Sequence, residues 1–162
     1  IFFCENNGYA ISVPLSRQMA VDQMASRAEG YGVPGVVVDG SDIVAVHEAT
    51  MEAAARARAG QGPTVIEAMV ERYLPHTSDD DDSRYRSRKE IEEARRRDPL
   101  RILKERMAEI DALTEEMDQS IHEEARREVD EATDLVDALP YPGGEDFHRH
   151  VYSCGPGGEP SQ

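Results

Sequence analysis

Apolar residues near the start of the chain fall into three short runs, and each run ends at a turn signal. The runs occupy residues 1–3, 36–38 and 64–70. The first leads into the sequence Asn-Asn-Gly, and the second lies between glycines. Short apolar runs rich in β-branched residues and bounded by turn formers are typical of strands. They predict three strands, the first of which we expect to be fully buried.

Two stretches between these strands have helical character. Residues 19–29 predict a weakly amphipathic helix that ends at Gly30 and Gly32. Ser41 is a suitable N-cap for a second helix over residues 42–59. The order strand, helix, strand, with tight glycine turns, predicts a parallel sheet and therefore an α/β fold.

A long polar segment over residues 71–87 breaks this pattern, and helices follow it. Loops of this length in compact domains are usually functional or disordered. Beyond it, Ser87 and Glu90 form a capping box, Asp98 begins a second helix and Thr114 begins a long third one. The apolar stripes of these helices predict a contribution to the core or to a subunit interface.

The pattern divides the chain into three parts. Residues 1–87 form the α/β part with the polar segment at its end, residues 88–153 form a helical extension, and residues 154–162 are expected to be a disordered tail. Two cysteines, Cys4 and Cys154, lie near opposite ends; two reduced thiols are favoured over a disulfide.

Charge narrows the functional classes. The 162 residues carry a formal net charge of -15 at pH 7. This charge argues against a nucleic-acid partner, which needs clustered cations, and against binding to an anionic membrane surface. No apolar run approaches the length of a membrane-spanning helix.

The turn after the first strand is the first candidate site. Ligands of open α/β sheets collect at the carboxyl ends of the strands, and the amide oxygen of Asn7 is a hard donor that suits Mg²⁺. A tight turn also accounts for the Asn-Gly pair without any ligand. The residues alone leave both interpretations open.

Residues 5–12, Glu-Asn-Asn-Gly-Tyr-Ala-Ile-Ser, resemble the closing half of the cofactor motif in a known family. That family is the alpha subunit of the E1 component of thiamine diphosphate-dependent 2-oxo acid dehydrogenases. The motif opens upstream with Gly-Asp-Gly, so the chain is expected to be the C-terminal part of a thiamine diphosphate-binding domain with its helical extension. The resemblance implies that Asn7, through its side chain, and Tyr9, through its carbonyl, bind Mg²⁺ and hold the cofactor.

The polar segment resembles the active-site loop of the same family. An exposed loop histidine is the plain interpretation of His76, but the order Arg, His, Thr, acid run, Tyr-Arg is that of the family. The resemblance implies that His76 is catalytic and lies at the cofactor, and that Arg72, Tyr85 and Arg86 order the loop. The acid run 79–82 lacks the spacing of a calcium loop and is better explained as solvated, in part paired with Arg84 and Arg86.

The resemblance implies oxidative decarboxylation of a branched-chain 2-oxo acid, with transfer of the acyl group to the lipoyl group of E2. A pyruvate or acetoin dehydrogenase alpha subunit is the alternative, and a non-catalytic interaction fragment is another. The implied partners are an E1 beta subunit, in an alpha2beta2 assembly, and the E2 lipoyl acyltransferase. The implied location is the cytoplasm of a bacterium or archaeon, with the mitochondrial matrix as the alternative.

Overall fold

Three parallel strands form the main sheet of the computed structural model, which describes residues 1–144. In chain order, the strands are β1 (Phe2–Asn6), β2 (Tyr9–Ala10), β3 (Val13–Pro14), β4 (Gly35–Asp39) and β5 (Val65–Met69). The main sheet has the order β1-β5-β4, and β2 and β3 form a separate antiparallel hairpin. The predicted α/β fold is therefore confirmed.

Four α-helices and three short 3₁₀ segments complete the described chain. The helices are α1 (Ile43–Arg58), α2 (Arg88–Arg96), α3 (Pro99–Glu109) and α4 (Glu115–Asp137). The 3₁₀ segments are Leu15–Arg17, Met24–Tyr31 and Asp82–Arg84. None of the helices in this range combines the length and apolar character that a bilayer crossing requires.

Two compact units make up the chain, Ile1–Leu113 and a second that begins at Thr114. The predicted boundary after residue 87 and the helical extension stay predictions. The tail at 154–162 and Cys154 lie outside the described residues. Cys4 forms no disulfide within the described range.

The register of the sheet aligns the carboxyl ends of all three strands. Asn6 of β1 and Asp39 of β4 both pair with Met69 of β5. The Val70 amide continues the ladder by donating to the Asn6 carbonyl over 2.9 Å. The segments after these strands therefore start from one edge of the sheet, where ligands of parallel sheets bind.

The helix predicted over residues 19–29 is wrong in type and extent. The segment Met24–Tyr31 is a 3₁₀ helix, and its two buried side chains are Ala25 and Ala28. Their three-residue spacing matches one 3₁₀ turn, so the narrower helix presents both to the sheet. A Cβ on Gly35 would overlap the Ala25 carbonyl, so β4 needs glycine at this point of closest approach.

The predicted N-cap of α1 also needs correction. Ser41 is not the N-cap of α1; Asp42 is, and its carboxylate accepts from Val44 N and Ala45 N. The Ser41 hydroxyl instead donates to Asp39 Oδ1 over 2.6 Å.

The first strand is not fully buried. Phe2 is 65% exposed, and β1 is an edge strand that pairs with β5.

The second unit contains α4, whose N-cap is Thr114 as predicted. Its apolar stripe is exposed to solvent, at 49% for Met117 and 64% for Val129. Among the described residues the stripe therefore contributes no core, and its role in a subunit interface stays a prediction.

A buried carboxylate occupies the middle of the central strand. Glu67 is fully buried in β5, where Oε1 accepts from Asn6 Nδ2 at 2.5 Å and Oε2 accepts from Ala25 N at 2.7 Å. Burial alone raises the pKa of Glu67, but the hydrogen bonds from Ala25, Asn6 and Met24 outweigh it, so the pKa lies below its ordinary value. The carboxylate joins the end of β1 to the 3₁₀ segment.

Replacing Glu67 with Gln should lower the free energy of unfolding by about 1–3 kcal/mol near neutral pH, because the amide group of Gln would face an N–H donor. A carboxylate with a lowered pKa stabilises the fold above its unfolded pKa of about 4.3. That stability is lost as the pH falls through the folded pKa. Urea unfolding at several pH values should therefore show the difference between wild type and Glu67→Gln narrowing in acid.

The matched control is Glu5→Gln, the same change at an exposed position of β1. We expect it to leave the unfolding free energy unchanged. Equal losses in the two variants, or a Glu67→Gln loss that does not depend on pH, would contradict the role given to the buried carboxylate.

Candidate functional site

The turn that follows β1 is built from two asparagine side chains. Asn6 Oδ1 accepts from Gly8 N at 2.9 Å, and Asn7 Oδ1 accepts from Tyr9 N at 3.0 Å. Gly8 has a φ of 76°, a left-handed conformation that glycine adopts without strain. The chain therefore bends at Gly8 and enters the hairpin of β2 and β3.

The two asparagines differ in what they leave available. Each side-chain oxygen accepts one backbone hydrogen bond, although an amide oxygen can accept two. Asn6 is buried and its Nδ2 donates to Glu67, whereas Asn7 is half-buried. Asn7 therefore has the free lone pair and the hard oxygen that a Mg²⁺ ligand needs, and the donor chemistry of this turn fits the metal.

The hairpin after the turn has a strained corner. Ile11 has a φ of 58°, a conformation that is rare for a β-branched residue. The two-residue connection between β2 and β3 calls for positive φ, which glycine or asparagine normally supplies. The Ile11 carbonyl accepts from Arg72 Nη2 at 2.9 Å, so the start of the long loop is attached to this corner.

Arg72 begins a chain of contacts that runs through the loop. Its Nη2 also donates to Tyr85 Oη at 2.9 Å, and the Tyr85 hydroxyl donates to Asp80 Oδ2. The same oxygen of Asp80 accepts from the backbone N of His76 at 2.9 Å. The loop apex is therefore fixed through its main chain, while the His76 imidazole is exposed.

Arg86 closes the loop from the other side. Its side chain is almost fully buried; Nη1 donates to the Arg72 carbonyl at 2.6 Å, and Nε donates to Glu90 Oε1 at 3.1 Å. The predicted pairing of Arg86 with the acid run is wrong, because Arg86 points inward to Glu90. Arg84 does pair with Asp81, at 3.4 Å and on the surface.

Tyr9 lies among these cations. Its ring centroid is 5.7 Å from the Arg72 guanidinium carbon, 5.5 Å from that of Arg86 and 5.8 Å from the Tyr85 ring. The Tyr9 hydroxyl donates to Glu90 Oε1 at 2.9 Å. The turn after β1 and the loop after β5 therefore meet around one aromatic ring.

These contacts shift several pKa values. The hydrogen bond from Tyr85 is the main cause that holds the pKa of Asp80 below its ordinary value, and the His76 amide adds to it. Burial, followed by the bond to Asp80, raises the pKa of Tyr85. Burial and the bond to Glu90 likewise raise the pKa of Tyr9. Asp80 is therefore ionised and both phenols are protonated at neutral pH.

A second ion pair fixes helix α2 to the same edge of the sheet. Arg97, the C-cap of α2, donates to both carboxylate oxygens of Asp39 at 3.0 and 2.9 Å. Its guanidinium also lies 4.0 Å from Glu71. The carboxyl ends of β4 and β5 are therefore both tied to the end of α2.

The structure brings together most of the residues that the sequence singled out. Asn7 and Tyr9 follow β1 and His76 follows β5, at the edge where these neighbouring strands end. Arg72, Tyr85 and Arg86 form one network with Tyr9. The roles of these residues in metal binding and catalysis stay predictions.

Sequence reasoning missed two carboxylates. The sequence pattern assigns no role to Glu67, and it predicts Glu90 only as half of a capping box. Ser87 Oγ does accept from Glu90 N at 3.1 Å, but the Glu90 carboxylate bonds Tyr9 and Arg86 instead of completing the box. A charged residue inside a buried strand was the one signal available for Glu67.

The fold is that of an α/β domain with polar segments at the carboxyl ends of its parallel strands. This is the edge of the sheet at which such domains bind ligands. A family model described as the dehydrogenase E1 component matches residues 1–145. The chain therefore belongs to the dehydrogenase E1 component family, and the resemblance inferred from the sequence is confirmed.

Curated relatives agree with this assignment. The 2-oxoisovalerate dehydrogenase subunit alpha of Bacillus subtilis is 47% identical over 153 residues, which cover 94% of this chain and 46% of that protein. The 3-methyl-2-oxobutanoate dehydrogenase subunit alpha of Mycobacterium tuberculosis is 40% identical over 94% of this chain and 42% of its own length. The human mitochondrial pyruvate dehydrogenase E1 component subunit alpha, somatic form, is 39% identical over 96% and 40%. The chain spans less than half the length of these relatives.

Replacing Tyr85 with Phe should raise the pKa of Asp80 toward its ordinary value, because the phenol is the main group that stabilises this carboxylate. Carboxyl chemical shifts followed by NMR during an acid titration would measure the change. Asp81 provides an internal control, since its pKa is lowered chiefly by Ser83 and should stay where it is. An unchanged Asp80 titration would show that the Tyr85 bond is not formed in solution.

Proposed function

We propose that this chain is part of an E1 alpha subunit that takes part in oxidative decarboxylation of a branched-chain 2-oxo acid. The acyl group then passes to the lipoyl group of an E2 acyltransferase. The observation that carries the proposal is the E1 family match over residues 1–145. The meeting of the Asn7 turn with the His76 loop at one sheet edge supports it.

Asn7 and Tyr9 are the residues that would hold Mg²⁺ and, through it, the diphosphate of thiamine diphosphate. The free lone pair of the Asn7 amide oxygen supports this assignment, as does the hydrogen bond that fixes Tyr9 N on the same oxygen. When bound, thiamine diphosphate supplies the electron sink for decarboxylation. The chain's own contribution is to fix the turn and to keep the ligand oxygens in place.

His76 would act as the acid-base group near the reacting centre. Its backbone is held by Asp80, while its imidazole is exposed and not committed to packing. Imidazole is the side chain most often used as a general acid or base in catalysis. The two ends of the loop are held together by Arg72, Tyr85 and Arg86. These contacts would limit the positions that the His76 imidazole can occupy.

The substrate class rests on the comparisons. Two relatives are named for branched-chain 2-oxo acids, at 47% and 40% identity. Pyruvate is the second candidate, because the Staphylococcus epidermidis pyruvate dehydrogenase subunit alpha is 42% identical over 138 residues. Decarboxylation kinetics of the full-length alpha subunit with its beta partner, on pyruvate and on branched-chain 2-oxo acids, decide between them. No turnover of any 2-oxo acid would favour a non-catalytic relative.

The proposed partners are an E1 beta subunit, in an alpha2beta2 assembly, and the E2 acyltransferase. The exposed apolar side chains of β1 and α4 support a subunit that buries more surface on assembly. A cytoplasmic location, with the mitochondrial matrix as the alternative, stays a prediction.

Replacing Asn7 with Ala in the full-length subunit should weaken binding of thiamine diphosphate and raise the Mg²⁺ concentration needed for half-saturation, because a hard oxygen ligand is lost. Titration calorimetry at several Mg²⁺ concentrations would measure both effects. Asn7→Asp is the matched variant: it keeps an oxygen for the metal and an acceptor for Tyr9 N, and should retain most of the affinity. Unchanged cofactor affinity in Asn7→Ala would reject Asn7 as a ligand.

Replacing His76 with Ala should leave folding and assembly intact while turnover falls by about 100-fold or more, the usual scale for a positioned acid-base group. Separate assays of decarboxylation and of lipoyl acylation would identify the affected step. His47→Ala, at an exposed histidine of α1, is the control and should keep normal rates. A folded His76→Ala enzyme with near-normal rates in both assays would end the catalytic assignment.

A further inference from the structure

One carboxylate oxygen connects the two halves of the candidate site. Glu90 Oε1 accepts from the Tyr9 hydroxyl at 2.9 Å and from Arg86 Nε at 3.1 Å. Tyr9 belongs to the turn that carries the proposed metal ligands, and Arg86 is the nearly buried end of the His76 loop. Glu90 itself is in neither segment, because it lies in the first turn of α2.

The geometry of Tyr9 makes this connection consequential. Its main chain is held on Asn7 by one hydrogen bond, and its side chain ends at Glu90 by another. The ring between them is bordered by Arg72 and Arg86. A displacement of the phenol would therefore be transmitted to the backbone whose carbonyl is the proposed ligand.

Helix α2 is a firm support for this oxygen. At its N-terminus, Ser87 Oγ accepts from the Glu90 amide, and at its C-terminus Arg97 is held by Asp39 at the end of β4. Arg97 therefore attaches the C-terminal end of the helix to the sheet, and the capping contact at the N-terminal end uses only the backbone of Glu90. The carboxylate is not needed for the cap and remains available to bridge Tyr9 and Arg86.

We propose that Glu90 is a positioning residue: by accepting from Tyr9 and Arg86 at one oxygen, it fixes the metal-ligand turn against the His76 loop. The proposal rests on the proposed function for the identity of the cofactor, but the physical bridge is a property of this chain alone. Order in the loop and order in the turn are then coupled, since both lose an anchor when the carboxylate is removed.

The test uses three variants of the full-length subunit assembled with its beta partner. Glu90→Ala removes the bridge and keeps the backbone amide that Ser87 caps. Tyr9→Phe removes only the hydroxyl and keeps the ring and the backbone carbonyl. Glu93→Ala is the control, because Glu93 lies in the same helix and, within the part of the chain that the structure describes, forms an exposed pair with Lys89 and does not contact Tyr9 or Arg86.

The first readout is amide hydrogen exchange without cofactor. Both Glu90→Ala and Tyr9→Phe should raise the exchange rates over residues 72–86 by about tenfold, the scale of a lost charged hydrogen bond. The free energy of urea unfolding of these variants, and the exchange rates of Glu93→Ala, should stay close to the wild-type values. Unchanged exchange in both variants overturns the proposal. A change in Glu90→Ala alone also overturns it, because Glu90 would then act through the helix and not through Tyr9.

The second readout is the affinity for thiamine diphosphate with Mg²⁺. If the wild-type complex binds, Glu90→Ala should bind about tenfold more weakly, and equal affinity overturns the coupling to the metal site. If the wild-type complex does not bind the cofactor, the proposed function fails. The exchange comparison needs no cofactor and still decides the role of Glu90.

Discussion

This site depends on the hydrogen bonds that the buried carboxylate of Glu67 accepts. A charge inside a parallel sheet is costly unless donors surround it. Here those donors are the Asn6 amide and backbone N–H groups of the 3₁₀ segment, and the pKa of Glu67 lies below its ordinary value as a result. One group therefore sets where β1 ends and where the following turn begins. The Asn7 turn starts from an asparagine whose side chain the core already holds.

A second layer of polar contacts is built outward from that base. Like Glu67, Asp80 accepts from neutral donors, whereas Glu90 accepts from the Tyr9 phenol and from the Arg86 guanidinium. Partly exposed ion pairs contribute little to stability individually. Their value here is geometric, because Arg72 and Arg86 each contact two segments that are distant in sequence. The long loop is held at its stem, and its apex remains accessible.

The sequence predicted β4, β5 and the starts of α2, α3 and α4, because each has a local signal: a β-branched run, or a capping residue at the right position. The sequence prediction failed where contacts between distant segments determine the local conformation. Met24–Tyr31 became a 3₁₀ helix because two alanines had to face the sheet, and Ile11 took a positive φ that its side chain locally disfavours. The resemblance to the family motif singles out Asn7 and His76, whose roles stay predictions. Glu90 had no signal beyond a capping pattern, because the partners of a carboxylate on a helix surface depend on the packing of distant segments.

The charge of the loop constrains how an anionic cofactor can be held. Four consecutive aspartates lie in the segment that carries His76, and the two arginines at its stem are occupied by Tyr85, Ile11, Glu90 and a backbone carbonyl. Acidic residues outnumber arginines over residues 71–87, so the net charge of this loop does not favour a diphosphate. Under the proposed function, that task falls to Mg²⁺ on Asn7 and Tyr9, so the exact placement of the turn matters more than the net charge around it. Under the same proposal, a chain this acidic would depend on an ordered metal site, and the Glu67 and Glu90 carboxylates would hold the Asn7 turn from the core and from helix α2.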